Sequence, residues 1–397
     1  MPDGFFPSSK LQIKNPSALR APKCGTCGLH QTCLSPQMPP TGNGRQGILI
    51  IAEAPGRDED RRGTQLIGQA GQYLRRCLRG LGVDLDRDCW KTNAVCCRPS
   101  ENATPTNDQI LACRPLVFKA INKYKPHVIM LLGKSAVQSV IGQLWKEDVG
   151  DLGRWIGYTI PNQKPNVWIV PTWHPSYLER ENSPVLNLLF RRHLKKAIGL
   201  GKDHVVHEDL AKKVHVETDP TNAARHIKWT RQQRIPFVFD YETNCLKPET
   251  KGARILSCAI SNGDRIIAYP WIEPAIEQTR RLLQSDIPKI AANAKFEERW
   301  SRLHAGGPVK NWLWCTMVAA HVLDNRRGTT GLKFQAYTRL GVGSYDDQIK
   351  PYMEPQKNGL NRLNKVHIAD LLLYNGMDAL LTWELAQVQI KMIDRHK

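Results

Sequence analysis

Three sets of residues in this 397-residue chain have the types and spacing to do chemistry. The first is acidic. Phe239-Asp240-Tyr241-Glu242 closes an apolar run, and residues two apart on a strand face the same side. Two carboxylates on one face repel unless a cation joins them. Downstream, Asn293, Phe296 and Glu297 stand at the start of a predicted helix. Tyr374 and Asp378 lie one helical turn apart, on one face. The second set is sulfur. Cys24 and Cys27 form a C-x2-C, and Cys97 and Cys113 follow far downstream, 16 positions apart. Four thiolates in a reducing compartment suit either zinc or an iron–sulfur cluster. The third set is polar and lies beside turns: Glu53 before Pro55-Gly56, Asn93 after Thr92, and His174 before Pro175-Ser176.

The elements that position these residues read as two patterns. From about residue 47, apolar runs alternate with amphipathic ones. QGILIIAEAP, CWKTNAVCC, HVIMLLG and VWIVPTWHP read as strands; QYLRRCLRGLG, NDQILACRPLVFKAINKYKP and SAVQSVIGQLW read as helices. This alternation predicts an α/β layer with a largely parallel sheet, whose sites gather at the carboxyl ends of the strands. Glu53, Asn93 and His174 fall at or near such ends. A break follows near Gly199–Lys202. RIPFVFDYETN then reads as a strand, ARILSCAISNG and DRIIAYPW as a hairpin, IPKIAANAKF as a strand, and the remainder as helical. No internal repeat or low-complexity tract interrupts either pattern.

Charge and composition narrow the function classes. Lys and Arg exceed Asp and Glu by 19, and a charge that large attracts polyanions, nucleic acid first among them. Residues 1–23 form a Pro-, Ser- and Lys-rich segment expected to be a loose basic arm. The opening MPDGFFPSSKLQIK lacks the apolar core of a signal peptide. No apolar run approaches the roughly 20 residues that span a bilayer. A cytoplasmic protein without a membrane partner is expected. There the eleven cysteines serve as metal ligands or buried thiols rather than disulfides.

The series CGTCGLHQTC, IAEAPGRDED, GTQLIGQAGQYL, TNAVCCRPSENATPTNDQILACRP and PTWHPSY resembles the family 4 uracil-DNA glycosylases over about residues 24–200. The resemblance implies a three-layer α/β/α fold and a 4Fe–4S cluster held by Cys24, Cys27, Cys97 and Cys113. Cys96 is then expected to point into the sheet as a bystander. Asn93 matches the asparagine that reads the uracil edge, and an amide can both donate and accept there. His174 matches the histidine set against the uracil oxygen, and Glu53 the acidic residue beside the site. One departure bears on activity. Leu66 stands where the family has the aromatic residue that stacks on uracil. Base–aromatic stacking is worth about 1–3 kcal/mol, so the change weakens base capture about tenfold or more, or marks a domain that only grips DNA.

The three acidic pieces, in order, resemble the DEDD-type 3′–5′ proofreading exonucleases in their tyrosine subtype, over residues 214–397. This resemblance implies a ribonuclease H-like fold and two divalent ions, Mg2+ or Mn2+. Asp240, Glu242, Glu297 and Asp378 would hold them, and Tyr374 would orient the attacking water. Glu297 replaces the family's aspartate. Residues 201–213 are then a linker. The domain order is similar to the front half of certain bacteriophage family A DNA polymerases. It implies a role in phage DNA replication, in the host cytoplasm, on single-stranded or frayed 3′ ends, with the polymerase a separate chain or outside this sequence. Two other functions fit the same residues: a bifunctional repair enzyme that also excises uracil, and a non-catalytic DNA-binding accessory of a polymerase.

Overall fold

The computed structural model describes residues 22–202, 204, 206, 207 and 209–394. The basic arm expected over residues 1–23 lies outside them except for Pro22 and Lys23. The main division of the chain into two compact units falls between Val206 and His207. No helix among the described residues is long and apolar enough to cross a membrane.

The first unit is built on a five-stranded sheet. Its strands are β1 (Ile48–Ala52), β2 (Cys89–Asn93), β3 (Val128–Leu132), β4 (Ile160–Asn162) and β5 (Val167–Thr172), in the order β2-β1-β3-β5-β4. All but β4 run parallel. Every residue of β1 and β3 is buried. Parallel strands covered on both faces read as continuous apolar runs, which is why ILIIA and VIMLL show no alternation. On one face Ile48, Ile50, Met130 and Leu132 pack with Leu74, Leu78, Phe190 and Leu194. Replacing one such core leucine with alanine typically costs about 2–5 kcal/mol. The helix Asn107–Tyr124 begins in a capping box between Thr106 and Gln109, as its sequence predicts.

One expected strand is shorter than predicted. CWKTNAVCC was expected to be extended throughout, yet β2 ends at Asn93. The N–H groups of Ala94 and Val95 still bond to the carbonyls of Ala52 and Glu53. Beyond them β1 has turned away at Pro55-Gly56, so no ladder remains for Cys96 and Cys97. Cys96 and Cys97 therefore lie in a loop, where strand alternation does not set the direction of their sulfurs.

The second unit holds β6 (Val214–Val216), β7 (Phe237–Thr243), β8 (Ile255–Ser261), β9 (Ile266–Pro270), β10 (Lys289–Ala291) and β11 (Trp312–Cys315). Their order is β11-β10-β7-β8-β9-β6. β7, β8 and β9 form an antiparallel meander, and β6, β10 and β11 add parallel to it or to one another. Two strands of this unit escaped the sequence reading, as did the three-residue β4 of the first. β11 lies in the stretch expected to be helical, and β6 has only three residues. Both are short edge strands, half exposed, with too few residues to show a period. The helix Ile368–Asp394 lies over β7, β8 and β9 and is buried on all sides from Tyr374 to Thr382. Gly376 lets it approach β6: a Cβ there would come within 2.2 Å of Val214 Cγ1. The α/β expectation holds in both units.

Candidate active sites

The carboxyl ends of the parallel strands in the first unit converge on one cleft. Glu53 follows β1, Asn93 ends β2, Gly133 follows β3, and His174 follows β5 by two residues. Strand register sets them side by side, with Ala52 opposite Asn93 and Leu132 opposite Thr172. Glu53, Asn93, His174 and Leu66 all line this cleft, so the four residues expected to form a base pocket are brought together.

Each is held in a particular state. Asn93 is buried, and its Nδ2 has no hydrogen-bond partner among the described residues. A buried amide donor left unpaired costs free energy unless a ligand meets it. His174 caps the helix Pro175–Glu181, with Pro175 at the first helical position. Its Nδ1 accepts from the Ser176 backbone N–H at 3.3 Å and lies 2.7 Å from Ser176 Oγ. Burial, aided by Arg180, holds the imidazole down to about 4, so it is neutral at pH 7. With Nδ1 accepting, the assigned tautomer carries its proton on Nε2. Glu53 Oε2 accepts from Ser135 Oγ at 2.9 Å.

Leu66 is buried and sits at φ +56°, a left-handed conformation uncommon outside glycine. Strain of this kind typically costs about 1–3 kcal/mol and clusters at functional sites. Two supports hold it. Glu59 Oε1 accepts from the N–H groups of Ile67 and Gly68, at 3.0 and 2.8 Å. Gly71 makes room, since a Cβ there would meet the Leu66 carbonyl at 2.1 Å. Glu59, Gly71 and Ser135 were missed by the sequence reading. Each acts through another residue of the cleft, and no local motif announces that.

Cys24, Cys27, Cys97 and Cys113 line a second pocket in the same unit, which Cys96 does not line. Three sulfurs accept N–H donors: Cys97 from Gln37 N (3.2 Å), Cys24 from Gln37 Nε2 (3.1 Å) and Cys113 from Cys96 N (3.2 Å). Burial pushes the Cys27 thiol up and the Cys97 thiol up to about 12. The side chain of Cys96 lowers Cys113. No three of the four sulfurs lie within 4.8 Å of one another. A tetrahedral zinc site with Zn–S of about 2.3 Å would set them about 3.8 Å apart. Four converging thiols at wider spacing fit a group larger than one ion.

In the second unit, Asp240 and Glu242 point to the same side of β7, and Asp378 meets them from the helix Ile368–Asp394. One carboxylate oxygen from each lies within 4.8 Å of the others, and all three residues are buried. Burial and mutual repulsion push Asp240 and Glu242 well above the usual carboxylate range. Burial also raises Asp378, against the opposing pull of Lys333, Tyr345 and Tyr374. Glu297 stands outside the group of three, yet it feels their charge. It is buried, and burial with repulsion from Asp240 and Glu242 raises it strongly. Its Oε2 has no partner among the described residues. Glu298 turns away, bonded to Arg302, Val309 and Trp312. Four buried carboxylates with few compensating cations either hold protons or share a cation, and an all-oxygen donor set suits Mg2+ or Mn2+.

Three further residues complete this centre without having been singled out in the sequence. Asn375 Nδ2 donates to Asp240 Oδ2 at 2.8 Å, and Asn375 Oδ1 accepts from Ser257 Oγ at 2.9 Å, locking helix to strand. Tyr345 donates to Asp378 Oδ1, and its ring lies 5.8 Å from that of Tyr374. Lys333 pairs with Asp346 and lies over the Tyr374 ring at 5.6 Å.

A polar cleft at parallel strand ends and a buried carboxylate centre define a two-part, nucleic-acid-processing chain. Residues 39–200 match the uracil DNA glycosylase superfamily, and residues 214–393 match a 3′–5′ exonuclease family. The chain belongs to the uracil-DNA glycosylase superfamily through its first unit and carries a 3′–5′ exonuclease domain in its second. It is 34% identical to a type-4 uracil-DNA glycosylase of Saccharolobus solfataricus over 158 residues, covering 39% of this chain and 71% of that protein. It is 33% identical to the Pyrobaculum aerophilum type-4 enzyme over 183 residues, covering 45% and 90%. A DNA polymerase of Bacillus phage SP01 is 23% identical over 393 residues, covering 90% of this chain. The chain spans 41% of that polymerase's length.

Proposed function

We propose that the second unit degrades DNA from its 3′ end and that the first unit engages the same DNA. The supporting observation is the buried trio Asp240, Glu242 and Asp378, whose oxygens converge with Lys333 as the cation that acts on Glu242 and Asp378. In this reading the trio, with Glu297 beside it, holds two divalent ions. When bound, such ions lower the pKa of a water and stabilise the departing 3′ oxygen. The chain's own residues do the positioning. Asn375 fixes the Asp240 carboxylate, Tyr345 and Tyr374 both bond to Asp378, and in this reading the Tyr374 hydroxyl would orient the attacking water. The working domains are taken as residues 24–200 and 214–397, joined by 201–213, with the basic arm and the chain's excess of cations serving phosphate contacts. The polymerase relative supports a place in phage DNA replication beside a polymerase, and so inside the host cell.

The four thiols of the first unit are assigned to an iron–sulfur cluster, on the ground of their wide spacing and their N–H donors. The cluster would tie the segment 24–27 to the loop after β2 and so brace the loop that begins at Asn93.

The deciding experiment is digestion of 5′-labelled single-stranded DNA with Mg2+. A ladder shortening from the 3′ end is expected, and EDTA or Asp240→Ala should abolish it. Full activity in Asp240→Ala overturns the assignment. A second reading, live uracil excision, is favoured by the unpaired Asn93 amide and the neutral His174 donor. An Nε2–H aimed at a developing oxyanion stabilises it without proton transfer. Alkali treatment of uracil-containing DNA after incubation tests this, and absence of cleavage at uracil leaves the first unit as a gripping module.

A further inference from the structure

At the β6 edge of the second unit lies a group of ligands of a different chemical kind. His215 and Glu217 are two apart along β6 and its extension, where the Glu217 N–H still bonds to the Ala268 carbonyl. Their side chains therefore leave on one side. His226 reaches the same place from the helix Pro220–Gln233, which begins three residues after Glu217. One ligand atom from each lies within 4.8 Å of the other two. His215 Nε2 is 3.5 Å from Glu217 Oε2, and the two imidazoles are 5.4 Å apart at 58°. Glu217 is held in place: its Oε1 accepts the Asp219 N–H at 2.9 Å, which leaves Oε2 turned to the imidazoles. Asp219 in turn caps the helix that carries His226. Arg265, whose charge reaches His226, is held over the Trp229 ring at 4.1 Å.

We propose that His215, Glu217 and His226 form a site for a divalent transition-metal ion of the zinc type. Two imidazoles and one carboxylate are the donor set that zinc takes at three protein ligands, with a water or an incoming group in the fourth position. Mg2+ prefers oxygen throughout and dehydrates reluctantly, so it goes to the carboxylate centre instead. The two sites do not share residues: β6 is separated from β7 by β9 and β8 in the sheet. A bound ion would tether the short edge strand to the helix that follows it, where β6 makes a ladder with β9 alone.

The test uses the full chain, purified with its thiol site filled, carrying Asp240→Asn and Asp378→Asn to remove the carboxylate centre. Equilibrium dialysis against Zn2+ in excess Mg2+, followed by metal analysis, should find one zinc beyond the thiol site's content. Zn2+ should also raise the melting temperature. His226→Gln should lose that equivalent and that shift, and Glu217→Gln, which removes the anionic ligand, should bind zinc more weakly than the parent. His215 is more than half exposed, so His215→Ala removes a ligand without disturbing the core. In the otherwise unaltered chain, His215→Ala should leave Mg2+-dependent DNA degradation unchanged. Zinc content and melting shift that persist in His215→Ala, or zinc displaced by Mg2+, overturn the proposal.

Discussion

The two active-site candidates solve opposite electrostatic problems. The cleft of the first unit sets an uncharged imidazole and a free amide beside a carboxylate that is already bonded. His174 is kept uncharged by burial, Asn93 offers an unpaired amide, and the Glu53 carboxylate is already bonded by Ser135. Such a cleft concentrates no like charge, and its open cost is the one unpaired amide of Asn93. The carboxylate centre of the second unit concentrates negative charge in a buried place, and its members push one another's pKa upwards. That arrangement is costly when empty and becomes favourable only around a cation. The first arrangement suits recognition of a polar group, and the second suits metal-assisted chemistry. Substitutions should therefore fail in different ways at the two.

The largest effect is expected at the charged centre. Asp240→Ala should lower 3′–5′ degradation of single-stranded DNA about a thousandfold or more, roughly 4 kcal/mol of barrier at 1.36 kcal/mol per tenfold. Rates from labelled oligonucleotides decide it. Next comes the sulfur pocket. Cys97→Ala should remove the visible absorption near about 400 nm that an iron–sulfur cluster gives, while Cys96→Ala keeps it. Equal bleaching by both would show that the loop, rather than one ligand, holds the group.

Leu66→Phe restores an aromatic surface to the recognition cleft. Stacking worth about 1–3 kcal/mol should raise uracil excision, or uracil-DNA affinity if excision is absent, about five- to a hundredfold. No change would mean that the strained Leu66 backbone, rather than its side chain, limits the pocket. The smallest effect is on stability. Glu242→Gln should remove repulsion and raise the melting temperature in EDTA, by about 2–4 °C per kcal/mol relieved.

The sign of that last effect follows from linkage. The folded chain holds the Glu242 proton to higher pH than the unfolded chain does. At acid pH, below the unfolded carboxylate range, both states are protonated and the variant should match the parent. As pH rises through the interval up to the folded value, the parent loses stability relative to the variant, and the full gap persists above it. Saturating Mg2+ should reverse the order. Melting curves across pH, with and without Mg2+, read both arms.

Much of this was legible from local pattern. Asp240 and Glu242 share a face because strands have a period of two, and Tyr374 and Asp378 share one because helices have a period near 3.6. Continuous apolar runs marked β1 and β3 as doubly covered. What failed was short or indirect. β6 and β11 are too brief to show a period, and the strand expected through Cys97 stopped at Asn93 because its neighbour turned away. Asn375, Tyr345, Glu59 and Gly71 act by supporting other residues, which no spacing encodes.

The amino-acid order alone determined which side chains are available, on which face of which element, and in what series. That is chain-local information carried by helix and strand geometry. Only the tertiary structure decided that Asp378 closes on the β7 pair with Glu297 beside them, and that His174 is neutral. It also decided that the four thiols line one pocket, and that His226 meets His215 and Glu217. These depend on distance and burial, which set the strength of every charge interaction and which arise only when remote segments pack together.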